Sequence, residues 1–84
     1  MEEKLVGKIT HYYGNIGVAV VALSGDLRAS DTIHLKGKST DITQQVSSMQ
    51  IEHQSLEMAK AGQEIGMKVD GKVREGDEVF LVVP

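Results

Sequence analysis

Gly37-Lys38-Ser39 brings together the residue types that a phosphate-binding loop needs, with glycine for close backbone approach and Lys and Ser for charge and magnesium. The spacing breaks the motif. Its first glycine would have to stand at Thr32, inside an alternating stretch, and Asp41-Ile42-Thr43 does not open a helix. The segment therefore reads as a polar loop, and no nucleotide is expected. His11, His34 and His53 are dispersed and no cysteine is present, so neither a metal site nor another cofactor is expected. Asp26, Asp31 and Asp77 lie in turns, where an Asp accepts backbone hydrogen bonds, and no sheltered acid and base pair is visible; the chain is not expected to be an enzyme. Tyr12-Tyr13 is the strongest binding candidate. Neighbouring strand residues face opposite ways, so one ring reaches an outer face or a rim, either to bind or to cap an end of the core.

The elements that must hold these residues read as strands. Residues 5–11 alternate, with Leu5, Gly7 and Ile9 on one face and Val6, Lys8 and Thr10 on the other. Residues 16–23 form a β-branched run, apolar on both faces. Leu27 plugs an end of the core, the Ser30-Asp31 turn leads into residues 32–36, and residues 37–43 form a polar loop. A longer strand covers residues 44–54, with an irregularity near Ser47-Ser48 where the apolar spacing changes. Residues 56–60 make a tethered turn, residues 65–69 a strand, Asp70-Gly71 a hairpin signal, and residues 78–83 the last strand. Six strands with short connections predict an all-β fold, a small closed or nearly closed antiparallel barrel, with Ile9, Val20, Ile33, Leu35, Ile65 and Val79 in its core. Met49, Met58 and Met67 read as core filler.

The 84 residues leave room for one core, so residues 1–84 are expected to be a single domain. Nine Lys and Arg against twelve Asp and Glu give a net charge of −3, which disfavours general attraction to phosphate. An acidic start, no long apolar run and no cysteine lead to the expectation of a cytoplasmic protein without a membrane partner.

The ordered punctuation of the chain resembles a known barrel over residues 4–83. Its pieces are Gly7-Lys8-Ile9, Gly25 with Leu27, Asp31-Thr32-Ile33-His34-Leu35-Lys36-Gly37, Ala59 with Ala61-Gly62, Ile65-Gly66 and Gly76-Asp77-Glu78-Val79. Together they resemble the second domain of elongation factor Tu and related translational GTPases, and the small translation elongation factor-like proteins. That resemblance implies a translation-type barrel that contacts RNA, a ribosomal component or a protein partner, with Lys60 in the position of the family's basic residue ahead of the Ala-Gly step. Ser30 departs from the pattern, which has Gly there and which Ser satisfies only where the turn does not demand a positive φ. The Tyr12-Tyr13 region followed by Ala19-Val20-Val21 is also similar to the barrel at the carboxyl end of collagenase-like peptidases. This second resemblance implies a module that presents a substrate or partner to a separate enzyme.

Overall fold

The first strand is long, and two irregularities in it decide which side chains reach the interior. In the computed structural model, which describes residues 2–83, β1 spans Glu2–Tyr13 and is the inner neighbour of two antiparallel partners, β10 (Glu78–Val83) and β2 (Val18–Leu23). Against β10 the register steps from Leu5↔Phe80 to Gly7↔Val79, leaving Val6 as the extra residue. Against β2 it steps from Ile9↔Val21 to His11↔Val20, leaving Thr10 extra. Each bulge reverses the facing of the residues beyond it. Val6 and Ile9 are buried as a result, whereas Leu5 is 47% exposed. The simple alternation expected for this strand, with Leu5 inward, is thus corrected by the bulge at Val6.

The remaining strands are β3 (Leu27–Arg28), β4 (Thr32–Lys36), β5 (Asp41–Gln45), β6 (Met49–Ile51), β7 (Gln54–Leu56), β8 (Met58–Ala59) and β9 (Glu64–Lys68). Eight of the ten form one sheet in the order β5-β4-β10-β1-β2-β9-β6-β7, and β3 pairs with β8. Every pairing is antiparallel. The inward faces of β1, β2, β4, β9 and β10 supply Ile9, Val21, Ile33, Leu35, Ile65, Met67 and Val79, joined by Leu27 and Val73 from shorter segments. Val20 is half-buried on the outer face, because its parity in β2 opposes that of Ala19 and Val21. Met49 and Met67 are buried, whereas Met58 is 40% exposed.

The sheet curls so that β5 comes against the segment after β9. Gln44, a buried polar side chain, bridges the gap: its Nε2 donates to the Lys68 carbonyl at 3.1 Å, and its Oε1 accepts from the Asp70 amide at 2.7 Å. Gly71 lies directly on Ile42, where an added Cβ would come within 2.8 Å of Cδ1. Among the described residues, β5 and β7 are the sheet's edges.

Three further sequence expectations change. The supposed polar loop over residues 37–43 ends early, since Asp41 already pairs with Lys36 in β5. The single strand over residues 44–54 is instead β5 and β6 separated at residues 46–48, and its end turns back as the β6–β7 hairpin. Asp70-Gly71 does not make a hairpin, because β9 pairs with β2 and β6 while β10 pairs with β1 and β4; the connection between them is drawn inward by buried Val73.

Turn chemistry accounts for Asp31 and Asp77, whereas Asp26 ties its turn to a distant one. Asp26 Oδ1 accepts from the Ala61 amide at 3.0 Å, and Asp31 Oδ2 from the Arg28 amide at 2.9 Å. Buried Asp77 accepts from the Arg74 amide at 2.9 Å and from the Thr40 hydroxyl. Ser30 does adopt a positive φ of 77°, so it bears the left-handed strain that the glycine of the translation-type pattern would avoid.

Candidate functional site

Tyr12 and Tyr13 diverge as adjacent strand residues must. Tyr12, opposite buried Ala19, turns inward and packs half-buried against the core. Tyr13, opposite Val18, points outward, is 49% exposed and stacks at a tilt on His11 with ring centroids 4.4 Å apart. Lys60 lies elsewhere. Its turn is tied to the far end of β2 by Leu23 N donating to Gln63 O and Gly62 N donating to Leu23 O. Because Tyr13 pairs with Val18, the two sites are separated by the length of β2, roughly 17 Å at about 3.3 Å per residue. The three candidate residues do not form one surface.

Around Tyr13 a groove runs over the outer face of the sheet. Its floor is Val18 and Val20 of β2 and Gly66 of β9, with Gln50 of β6 alongside. Cross-strand register explains this: Val20 faces Gly66, which in turn faces Gln50, so three neighbouring strands point these residues outward together. A Cβ at Gly66 would touch Val18 Cγ1 at 3.6 Å, so glycine here deepens the floor but is not forced by crowding. One wall is Tyr13 with Ile16, which is 66% exposed at the tip of the β1–β2 turn. Gly17, at φ 67°, ends that turn and lets both its own amide and that of Ile16 donate to the Tyr13 carbonyl.

The other wall is Glu52-His53, the two-residue turn of the β6–β7 hairpin. Both residues have positive φ, 49° and 67°. A tight hairpin turn of this hand favours Asn-Gly, and a left-handed non-glycine residue costs about 1–2 kcal/mol. Strain of this sort recurs at binding sites. Residue types alone do not mark this turn, because it lacks the Asn-Gly signature.

A different arrangement covers the opposite outer face. His34 of β4 is held between two carboxylates, with Nδ1 2.8 Å from Glu3 Oε2 and Nε2 2.5 Å from Asp41 Oδ1. Only the imidazolium donates from both nitrogens, so these hydrogen bonds, that to Asp41 first, raise the His34 pKa above its ordinary value. The clamp ties β1, β4 and β5 across β10. The Gly37-Lys38-Ser39 loop closes around the Asp77 carboxylate, where a Cβ at Gly37 would collide. A carboxylate thus stands beside the backbone that a phosphate loop would offer to an anion. Among the described residues no cluster of three or more His, Cys, Asp or Glu converges as metal ligands would.

No family model matches the chain. It is 41% identical over 78 residues to an uncharacterized protease of Methanocaldococcus jannaschii, covering 92% of this chain and 19% of that protein. It is 36% identical over 81 residues to a collagenase of Porphyromonas gingivalis, covering 94% and 22% respectively. The chain thus spans about a fifth of the length of the curated relatives it matches. In structure it is similar to the C-terminal domain of a Geobacillus thermoleovorans protein described as a U32 peptidase, with a TM-score of 0.89 over 95% of this chain and 93% of that one at 19% identity. GDP-bound aIF5B from Aeropyrum pernix gives a TM-score of 0.66 at 16% identity, over 98% of this chain and 14% of that one. These likenesses in structure concern the fold alone. The sequence relatives correct the translation-factor assignment: they are proteins named as protease and collagenase, and the elongation factor-like, RNA-binding and protein-biosynthesis readings fall with it.

Proposed function

We propose that this chain is a non-catalytic module that presents a substrate or partner polypeptide to a peptidase-type catalytic unit. The observation that carries the reading is the 41% identity over 92% of the chain to a protein named as a protease, of which it matches only a fifth. A segment making up so small a share of its relatives fits an accessory role. The chemistry of the chain agrees with it: Asp77 is engaged in its turn and His34 has both nitrogens occupied. Six neighbouring strands of the curled sheet, β5, β4, β10, β1, β2 and β9, are read as a nearly closed barrel whose seam is held by Gln44, with the β6–β7 hairpin continuing the sheet beyond it.

Grafting tests the proposal. The Methanocaldococcus protein is prepared whole, without its matching segment, and with this chain in that segment's place, and hydrolysis of gelatin is measured for each. The graft should recover most of the activity lost on truncation, while the isolated chain hydrolyses nothing. Loss on truncation with no recovery in a folded graft, or hydrolysis by the isolated chain, would count against the reading.

A further inference from the structure

We infer that the groove between Tyr13 and the Glu52-His53 turn holds a single extended polypeptide segment with apolar side chains and a Lys or Arg directed at Glu52. The inference rests on the presenting role proposed above and specifies what is presented.

Width argues for a single extended chain. From β1 to β6, by way of β2 and β9, there are three strand spacings, or about 14 Å between backbones at ~4.8 Å each. Tyr13 and the hairpin turn narrow this from both sides. An α-helix is about 10–12 Å across with its side chains, whereas an extended strand occupies roughly 5 Å across its backbone. A helix of that width nearly fills the span and leaves little room for the wall side chains, whereas an extended strand fits between them with its side chains reaching Val18, Val20 and the recess over Gly66. Size argues in the same direction, since eight residues line the groove and a stable globular interface takes about 20–30 on each side.

Charge gives the occupant a direction. Glu52 is the sole carboxylate lining the groove, and no Lys or Arg lines it among the described residues. Along β9, Glu64 faces outward at the Ala22 end and Lys68 at the Val18 end, so the outer face runs from acidic to basic along the strand. Glu64 accepts a long hydrogen bond from Thr10 at 3.4 Å, and His11 is paired with Glu75 at 3.3 Å; Glu52 has no such partner among the described residues. A basic side chain on the occupant meets Glu52, while a second basic group at the other end meets Lys68 and is disfavoured. The strained turn then has a role, because it holds the carboxylate above an apolar floor.

The test uses the isolated chain and two acetylated, amidated peptides, Val-Pro-Val-Lys-Val-Pro-Val and the same sequence with Glu for Lys, followed by amide resonance shifts. The Lys peptide should move the signals of Val18, Val20, Gly66 and Glu52 and bind about fivefold more tightly than the Glu peptide, the size expected of one part-exposed charge contact reversed in sign. Glu52→Gln should bring the two affinities within about twofold, and Ile16→Ser should weaken both while leaving the fold intact. Equal affinities for the two peptides, shifts confined to another face, or no binding at millimolar concentration would overturn the inference. So would sedimentation showing a dimer that Ile16→Ser dissolves, since the occupant would then be a second copy. Such a failure alongside a successful graft would remove this inference and leave the presenting role standing.

Discussion

The outer face over β4, β5 and β10 and the outer face over β2, β9 and β6 belong to one sheet, yet they treat their side chains in opposite ways. On the first, His34 finds Glu3 and Asp41 and the chain answers its own charges. On the second, Tyr13, Ile16, Val18 and Val20 keep apolar surface open beside a carboxylate, on a turn that costs backbone strain. A face completed internally contributes to stability. One left incomplete at a cost is the face to examine for binding.

The largest effect should come from what the two faces share. Leu35→Ala opens a cavity under both and should cost about 2–5 kcal/mol in denaturant unfolding. A loss under about 1 kcal/mol would mean that the faces do not stand on a common core.

Next is the clamp. His34 has a raised pKa in the folded state, so its contribution is complete below the ordinary histidine value of about 6.5 and is lost as pH rises through the folded value. With Asp41 largely exposed, the contribution should be about 1 kcal/mol, seen as a melting temperature several degrees higher at about pH 5.5 than at about pH 8.5. His34→Gln should abolish that difference. An unchanged pH dependence in this variant would assign it to other groups.

The groove should respond in the opposite sense. Glu52→Gly relieves a left-handed φ and should stabilise the chain by roughly 0.5–1 kcal/mol while removing the preference for a basic peptide. Destabilisation in thermal melting would show that Glu52 is retained for folding. Smallest of all, Ile16→Ser should alter stability by no more than about 0.5 kcal/mol, because the side chain is 66% exposed. A larger loss would place Ile16 with the core and not with the groove.

Much of the fold is visible in the sequence because burial in strands follows parity. Ile9, Ile33, Leu35, Ile65 and Val79 all belong in the core by that rule and are buried, as is Leu27. Parity fails wherever an extra residue enters, which is why simple alternation misplaces Leu5. It fails also where a polar residue faces inward. Gln44, the buried residue of β5, is polar and makes hydrogen bonds that only the folded sheet supplies, so Asp41–Gln45 lacks the apolar alternation that would extend the strand back through residues 41–43. Of the candidate site, the sequence shows that one of Tyr12 and Tyr13 faces outward at a strand end, and the pairing of Tyr13 with Val18 decides which. The partners of Tyr13 are not legible: Gly66 and Gln50 reach it through pairings between distant segments, and Glu52-His53 adopts a turn without its usual residues. Lys60 rests on resemblance to a family that shares only the fold.

Gln44 also determines where the molecule breathes. Among the described residues the seam between β5 and the segment after β9 is hydrogen-bonded through one carboxamide, beside the packing of Gly71 on Ile42, whereas Val20 and Val21 sit in ladders on both sides. Exchange of the Asp70 amide with solvent should therefore outpace that of the Val21 amide, by an opening that lifts β5 from Gly71 without disturbing β2. The groove lies in the half that stays shut, so a peptide can leave it without the seam having to part.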